Sequence, residues 1–341
     1  LDLRCNHKIE SAGLDNLRKE YDAVITAPGL TQSSIPETWP ETPRVKGALE
    51  LLAAISRDEP ILGQDFVIIG GGNAALDTAR SLKRLGKTVQ IIYRRTIDEM
   101  PAYPDEIIEA QSEGLLLREE TVIEEIIDSG RGLSLNLHRS RKNGDRIETG
   151  DFIESITTDF LIAATGQESS GDFLNCDPEL LKAGDFAHGA ASVAEALASG
   201  RKAAATALRK LGRLPEDSTT DQETQNLPPI TFAALHLNYY SKKPALKIPQ
   251  LDEKTRADNF SEIHLGLSPE QLEIEAERCF HCGSCTTCGI CWFFCPDVAI
   301  AINRESDNAE SQILFDYDHC KGCGQCAEVC PRGVIEMEED L

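Results

Sequence analysis

The sequence is short of basic residues, and this shortage limits the partners it can bind. It has 34 Lys and Arg against 57 Asp and Glu, and its formal net charge is −23. Proteins that bind nucleic acid gain affinity by neutralising phosphates with clustered Lys and Arg. We therefore predict that nucleic acid is not a ligand. A charged redox partner that docks through opposite charge is compatible with the composition.

Long apolar runs are also missing. No apolar stretch reaches the roughly 18 residues of a membrane span, and the first residues show no basic region leading into an apolar signal core. We predict no membrane span and a reducing, cytoplasmic location. Residue 1 is Leu, and we expect the sequence to start in the middle of a domain.

Cysteine, by contrast, is abundant and crowded. Ten of the twelve cysteines fall between Cys279 and Cys330. Eight of them form two copies of the bacterial ferredoxin run Cys-x2-Cys-x2-Cys-x3-Cys-Pro, in which the fourth cysteine ligates the cluster of the other run. We therefore predict two [4Fe–4S] clusters with crossed ligands. One set is Cys285, Cys288, Cys291 and Cys330, and the other is Cys320, Cys323, Cys326 and Cys295.

Other uses of these cysteines are weighed against the cluster hypothesis. Disulfides suit small secreted domains rather than a long α/β chain, and zinc sites do not call for repeated triplets followed by Cys-Pro. Cys279 and Cys282 continue the rhythm upstream, either as ligands of a third site completed elsewhere or as structural cysteines at a helix end. Cys5 and Cys176 are expected to be buried apolar residues.

A glycine-rich turn marks a nucleotide site. The apolar run 66–69 leads into Gly70-x-Gly72-x-x-Ala75, a helical pattern follows, and a second strand is predicted at 88–93. In such a βαβ unit Gly70 permits the tight bend, Gly72 lets a pyrophosphate approach the backbone, and Ala75 allows close helix packing. The phosphates then meet the helix N-terminus.

Two arginines follow the second strand, where an NAD-specific protein usually has Asp or Glu for the ribose hydroxyls. Arg94 and Arg95 favour the 2′-phosphate of NADP instead. The alternative is that they form surface ion pairs with Asp98 or Glu99.

The remaining patterns organise the chain. Alternating residues from 115 to 148, with Asn143-Gly144 as a turn, predict a small antiparallel insert, and 159–166 predicts a buried strand ending at Gly166. Ser268 followed by Pro269 predicts a helix start just ahead of the cysteines.

Several motifs together resemble the glutamate synthase small-subunit-like family of pyridine nucleotide–flavin oxidoreductases. They are Gly70–Asp77 (GGGNAALD), Tyr93–Arg95 with Met100-Pro101, Ala164–Gly166, and Gly184-Asp185 with the Gly200-Arg201 helix. The resemblance implies FAD and NAD(P)H as cofactors. It places Asn73 and Gly166 among the cofactor contacts, Gly184 and Asp185 near the ribityl and pyrophosphate groups, and Ala190, Ala191 and Val193 near the isoalloxazine ring.

The sequence departs from that family in two respects. The earlier FAD-binding glycine turn is absent, so we expect this chain alone to hold FAD poorly. The cluster cysteines come last rather than first, which weakens a prediction of glutamate synthesis.

The predicted fold class is α/β, with two interleaved Rossmann-like domains, the FAD one incomplete, and a small α+β ferredoxin domain. The expected ranges are 1–43 and 166–214 for the FAD part, 44–165 for the NAD(P) domain, 215–275 for an extended linker and 276–341 for the ferredoxin domain.

The predicted function is that of an electron-transfer oxidoreductase subunit linking NAD(P)H, FAD and the two clusters to a partner redox protein or larger complex. Residues 317–332 are similar to the ferredoxin-like delta subunits of 2-oxoacid oxidoreductases, and the whole arrangement looks like subunits that accompany those enzymes or sulfite reductase. The alternatives are a glutamate synthase-type reductase and a non-catalytic ferredoxin-like adaptor that binds no nucleotide.

Overall fold

A computed structural model describes residues 2–144, 146–169, 180–214, 230–257, 259–303 and 313–338. The chain divides into two compact units, Leu1–Ser218 with Leu251–Ile263, and Thr219–Gln250 with His264–Leu341. In the part of the chain that the structure describes, no helix is long and apolar enough to cross a membrane.

The first unit contains most of the regular secondary structure. Its helices and strands in chain order are α1 (Ser11–Glu20), β1 (Ile25–Thr26), β2 (Gln32–Ser33), β3 (Val45–Gly47), α2 (Ala48–Ser56), β4 (Asp65–Ile69), α3 (Asn73–Arg84), β5 (Thr88–Ile92), α4 (Pro104–Ser112), β6 (Leu116–Arg118), β7 (Thr121–Asp128), β8 (Leu133–Asn143), β9 (Arg146–Thr158), β10 (Phe160–Ala163), β11 (Gln167–Glu168), β12 (Leu181–Lys182), α5 (Asp185–His188), α6 (Val193–Lys210) and α7 (Glu253–Ala257).

A five-stranded parallel sheet in the order β3-β10-β4-β5-β6 forms the centre of this unit. One face packs on α2, α3 and α4 through residues such as Ile68, Leu76 and Ile91, which have no exposed surface. The other face packs on the antiparallel sheet β7-β8-β9 through Val67 and Leu135. Because both faces are covered, β4 reads as a continuous apolar run instead of an alternating one.

The predicted strands and helix around the glycine turn are confirmed as β4, α3 and β5, and the strand ahead of Gly166 is confirmed as β10. The antiparallel insert and its turn after Asn143 are also confirmed. Its first residues were misplaced, since Leu116–Arg118 joins the edge of the parallel sheet. They follow a strand and a helix, and such a crossover returns the chain to the same sheet.

Helix α4 is fixed against α3 by a buried ion cluster. The Arg80 guanidinium bonds Glu106, Glu109 at 2.7 Å and Glu113 at 2.8 Å. Burying one cation among three carboxylates requires this dense hydrogen bonding, because an unpaired buried charge is costly. The cluster therefore fixes the start of α4, which lies beside the glycine turn.

Two short pairings join distant parts of the first unit. Strand β1 pairs in parallel with β12, and β2 pairs antiparallel with β11. The amide of Ala183 extends the first pairing by donating to the Thr26 carbonyl at 3.0 Å. Residues before the central sheet thus pair with residues after it, as the interleaved prediction requires.

In the second unit the regular elements are short. They are α8 (Pro269–Ala276), α9 (Ile290–Phe294), β13 (Ile300–Ile302), β14 (Ile313–Phe315) and α10 (Gln325–Val329), with β13 and β14 antiparallel. The predicted start of α8 is confirmed: Ser268 caps it in a capping box with Gln271, and Pro269 is its first residue.

The expected linker 215–275 is only partly described, since 215–229 lie outside the described residues. The rest has short 3₁₀ turns at Phe232–Ala234 and Leu237–Tyr239, followed by α7 and α8.

Candidate functional site

The glycine turn between β4 and α3 is shaped by its neighbours inside the fold. Gly70 has φ +146°, and a Cβ there would lie 2.2 Å from the Ala164 carbonyl oxygen at the end of β10. A Cβ on Gly71 would lie 2.5 Å from the Tyr93 ring. Real Cβ atoms do not approach so closely. The Ala164 backbone therefore requires glycine at position 70, and at position 71 a side chain would need the Tyr93 ring to move.

Gly72 differs because the fold does not require it. Its φ is −89°, and a Cβ built on it meets no heavy atom within 4 Å. It is the N-cap of α3, so no side chain at that position caps the helix. A glycine that packing does not explain, at the N-terminus of a twelve-residue helix, fits the close approach of a phosphate to the backbone.

Asn73 and Ala75 have packing roles in this turn. The Asn73 Oδ1 accepts a hydrogen bond from the Tyr103 amide at 3.0 Å, and the Ala102 amide donates to the Gly71 carbonyl at 3.2 Å. Ala75 is fully buried against the sheet. The contact of Asn73 with Tyr103 was not apparent from sequence, because the two residues are 30 apart.

Arg94 and Arg95 directly follow Tyr93, whose ring lies against the glycine turn. Within the described residues neither guanidinium forms an ion pair, and Glu99 bonds Lys142 at 2.5 Å instead. The Arg95 Nε is buried without a hydrogen-bond partner. The surface ion pairs with Asp98 or Glu99 that were the alternative are not formed among the described residues.

Gly166 lies at the same end of the sheet as the glycine turn, because it follows β10, the parallel neighbour of β4. It has φ +151°, and its carbonyl accepts a hydrogen bond from the Ser34 amide at 3.0 Å. Ligands of open parallel sheets bind at the carboxyl ends of the strands. Gly166, the glycine turn and the two arginines therefore lie at the carboxyl ends of the strands, where a nucleotide is expected.

Gly184 and Asp185 lie after β12, away from that group in the chain. Gly184 has φ +64°, and its amide donates to the Ser199 hydroxyl at 2.9 Å, which holds the loop on α6. Asp185 is half-buried at the start of α5.

The N-terminus of α6 presents small apolar residues to the outside of the described protein. Ala190, Ala191 and Val193 are exposed, Val193 by 79%. Ser192 caps the helix in a capping box with Glu195, whose pKa is lowered by hydrogen bonds from the Ser192 amide and hydroxyl. None of the three apolar residues is therefore buried in the unit's own core.

In the second unit both cysteine runs have the same backbone. Gly289 and Gly324, each just after the second cysteine, are left-handed with φ +77° and +74°, and they begin α9 and α10. Residues with a side chain rarely adopt this conformation, so glycine suits both positions.

The environment of Cys291 places Cys330 beside the first run. Burial raises the pKa of the Cys291 thiol, and negative charge on Cys288, Cys285 and Cys330 raises it further. Cys291 and Cys330 are also buried, with 9% and 7% exposure. Burial likewise raises the pKa of Cys326, whose charged neighbours are Cys320 and Cys323 of its own run. This pattern matches the crossed ligand set on the Cys330 side.

The other crossing, that of Cys295, is supported by the residues after it. The Lys321 ammonium bonds the Asp297 carboxylate at 2.6 Å, and the Asp316 amide donates to the Ala299 carbonyl at 2.8 Å. The segment that follows Cys295 thus lies along the segment that leads into the second run.

The chemistry of this thiol set fits iron–sulfur clusters. Across the described residues no three His, Cys, Asp or Glu side chains converge as ligands of one metal ion.

The expectation that Cys5 is buried is wrong, since its thiol is exposed near the start of the chain. Cys176 lies outside the described residues.

Tyr240 is a neighbour of the first run that the sequence did not indicate. Its ring packs on Phe280 at 4.3 Å between centroids, and its hydroxyl lies 3.4 Å from the Phe280 and Pro331 carbonyls. Burial raises its pKa, as does negative charge on Cys282 and on two predicted cluster ligands. Tyr240 is far from the cysteines in sequence, so no local pattern could show that it packs beside them.

Fold and site together define a nucleotide-binding oxidoreductase domain joined to a domain for two iron–sulfur clusters. Residues 4–198 match the pyridine nucleotide-disulphide oxidoreductase family, and residues 284–334 match a 4Fe-4S dicluster domain. The chain therefore belongs to the pyridine nucleotide-disulphide oxidoreductase family. The predicted fold class, the FAD and NAD(P)H cofactors and the two clusters are confirmed.

Curated relatives cover most of this chain. The beta subunit of NADP(+)-dependent formate dehydrogenase from Moorella thermoacetica is 28% identical over 79% of the chain and 43% of its own length. The NADPH-Fe(3+) oxidoreductase beta subunit of Geobacter sulfurreducens is 24% identical over 79% of the chain and 49% of its own length.

The PreT subunit of NAD-dependent dihydropyrimidine dehydrogenase from Escherichia coli is 27% identical over 59% of the chain and 51% of its own length. The chain thus spans about half the length of the curated relatives it matches. Among solved structures, Mycobacterium tuberculosis FprA in complex with NADPH is 16% identical with a TM-score of 0.47, covering 60% of this chain and 66% of that one.

Proposed function

We propose that this chain is part of an electron-transfer subunit that links NAD(P)H and FAD to a partner redox protein through two [4Fe–4S] clusters. The proposal depends on two features found in one chain. The first is the glycine turn, in which packing does not explain the glycine at position 72. The second is the pair of cysteine runs with the same backbone conformation. When bound, the flavin converts two-electron transfer with the nicotinamide into single electrons that the clusters carry.

The residues of the chain act mainly by holding these groups. Gly70, Gly72 and the N-terminus of α3 bind the nucleotide pyrophosphate, while Ala75 lets the helix pack closely enough to do so. Gly166, Gly184 and Asp185 contact FAD, and Ala190, Ala191 and Val193 lie near its ring. The chemistry requires no acid–base side chain of the protein.

NADPH is the proposed nucleotide because of the two arginines at the end of β5. A guanidinium with a buried, unpartnered Nε gains charge-assisted hydrogen bonds when a 2′-phosphate arrives. NADH offers only ribose hydroxyls at that position. Of the relatives, two are named for NADP(H) and one for NAD, so their names do not decide the preference.

The partner is proposed to be another protein of a larger complex. Three of the relatives are subunits by name, and the charge of −23 suits a partner with a basic docking surface. The 2-oxoacid oxidoreductases and sulfite reductase are the proposed partner classes, and the cytoplasm is the proposed location.

Nucleotide binding separates this proposal from an adaptor that only docks clusters. Isothermal titration of the cluster-loaded protein with NADP+ is expected to give one binding event, which Gly72→Val abolishes by placing a branched side chain over the helix N-terminus. Because a Cβ at Gly72 meets nothing within 4 Å, the melting temperature should stay near that of the parent. No binding by the parent would favour the adaptor, and equal binding by both proteins would refute the role of Gly72.

A further inference from the structure

The segment Cys279–Gly283 has the backbone of a cluster-binding loop, although it precedes both cysteine runs. The residue before the second cysteine is left-handed in all three loops, with φ +48° at His281, +54° at Thr287 and +65° at Gly322. The glycine after the second cysteine is left-handed as well, with φ +72° at Gly283, as at the equivalent glycines of the two runs.

A non-glycine residue with positive φ is uncommon and needs a reason. In the first run Thr287 directs its amide to the Cys285 sulfur at 3.5 Å. His281 does the same to Cys279 at 3.4 Å. Amide donors aimed at sulfur stabilise the charged thiolate, which is the form that binds metal. The strained His281 backbone is thus explained if Cys279 is a ligand.

The two cysteines do not have the environment of structural residues. Both thiols are exposed, whereas cysteines that serve as small apolar residues are among the most buried of all residues. Their exposure favours the other interpretation, that Cys279 and Cys282 are ligands of a further site.

The loop is fixed in place by its contacts within the second unit. The Gly283 amide hydrogen-bonds the Arg332 carbonyl at 3.4 Å, and Phe280 packs on Tyr240. These contacts hold the loop at Phe280, between the two cysteines, and at Gly283, just after the second. Little ordering is left to be done when a ligand arrives, which favours binding.

We propose that Cys279 and Cys282 form a two-thiolate half-site for one thiophilic divalent cation, such as Zn²⁺, separate from the two clusters. Two cysteines spaced by two residues are the usual half of a tetrahedral Cys₄ zinc site. Binding replaces two metal–water bonds by two metal–sulfur bonds, each protonated thiol releases one proton to solvent, and the other positions on the ion keep water. No electron is transferred. The site does not depend on the nucleotide chemistry.

The test uses the anaerobic, cluster-loaded protein dialysed against Zn²⁺, with iron and zinc measured together. The parent is expected to retain one Zn²⁺ per chain beyond its cluster iron. The C279S/C282S variant should lose that zinc and keep its iron. A C5S variant is the matched control, because Cys5 is also exposed but belongs to the other unit, and it should bind zinc as the parent does.

X-ray absorption at the zinc edge identifies the ligands without interference from iron. We expect sulfur neighbours at about 2.3 Å in the parent. Equal zinc in the parent and the C279S/C282S variant would overturn the proposal, as would a disulfide between the two cysteines in the reduced protein. Loss of iron in that variant would also overturn it, because the pair would then belong to a cluster.

Discussion

The two units of this chain bury very different amounts of apolar surface. In the first, residues such as Ile68 and Leu76 on one face of the parallel sheet and Leu161 on the other have no exposed surface. In the second, the buried residues among those described are few, and they include the cysteines Cys291 and Cys330. The first unit is thus held by its core, whereas the second depends on its ligands.

This difference has a physical basis in size and chemistry. Small domains seldom bury enough apolar surface to offset the chain entropy, and many use metals or disulfides instead. In a metal-dependent domain the free energy of binding is also free energy of folding. The nucleotide site is therefore expected to survive treatments that destroy the cluster domain.

The largest expected effect is that of cluster removal. Chelation of iron under air should unfold the second unit and leave the first folded, because few apolar residues are buried among the described residues of the second. Limited proteolysis should then cut within 264–338 and preserve a fragment of about residues 1–214. Hydrogen exchange of β4 and β5 is the second readout. Loss of protection throughout both units would contradict the comparison.

Next in size is the effect of breaking one crossed ligand. Cys330→Ala should damage the cluster held by Cys285, Cys288 and Cys291, since the fourth cysteine of each run is expected to ligate the cluster of the other run. Cys323→Ala is the matched control and should damage the other cluster. Iron content and electron paramagnetic resonance of both variants distinguish the two sites. If they perturb the same signal, each run closes on itself and the crossing is wrong.

Within the first unit, Gly70→Ala tests the packing of the turn. The added Cβ would lie 2.2 Å from the Ala164 carbonyl, so unfolding free energy should fall by at least about 1–3 kcal/mol. Gly72→Ala has open space at the same atom, so it should cost only the roughly 1 kcal/mol of placing Ala at a helix N-cap, while weakening NADP+ binding. Denaturant unfolding and titration calorimetry measure the two effects. Equal destabilisation by both changes would show that the turn is packed differently.

A smaller effect is expected for the two arginines. Replacing Arg94 and Arg95 by Ala removes charge-assisted contacts worth roughly 1.5–3 kcal/mol. The Michaelis constant for NADPH should rise much more than that for NADH, with the flavin–nucleotide reaction followed using ferricyanide as acceptor. Equal increases for both nucleotides would refute the assignment of the 2′-phosphate.

The smallest expected effect is electrostatic. The pKa of Asp159 is lowered because its carboxylate accepts hydrogen bonds from the Gln64 and Asp65 amides. A group with a lowered folded pKa stabilises the protein above its unfolded pKa, near 3.9, and this contribution is lost as the pH falls through the folded value. Asp159→Asn should therefore lower stability at pH 7 and flatten its decline in acid. An unchanged pH profile would mean that these hydrogen bonds do not form in solution.

The sequence indicated the parts of the fold that have strong local signals. The run 66–69, the glycine turn and the two cysteine runs each have a fixed spacing with a physical reason behind it. Leu116–Arg118 was misassigned because its apolar residues fit either sheet. Its place in the parallel sheet follows from the strand and helix that precede it. The exposure of Cys5 and the role of Tyr240 depend on tertiary contacts that no local pattern encodes.

Site prediction from the sequence had a similar limit. The turn placed Gly70 and Gly72 together, but it could not tell that packing requires only the first. That distinction depends on the position of the Ala164 carbonyl, which lies just after the neighbouring strand β10 and about 90 residues away in the sequence. The left-handed backbone of His281 was equally invisible, and with it the likeness of the third cysteine loop to the other two.

The central claim is that this protein passes electrons from NAD(P)H through FAD to the two clusters. Anaerobic addition of NADPH to the cluster-loaded protein in the presence of added FAD tests it, with flavin absorbance and electron paramagnetic resonance recorded on the same sample. We predict that the flavin bleaches and that the signals of reduced clusters appear. A flavin that bleaches while both clusters stay oxidised, in a sample whose clusters dithionite reduces at once, would contradict the claim.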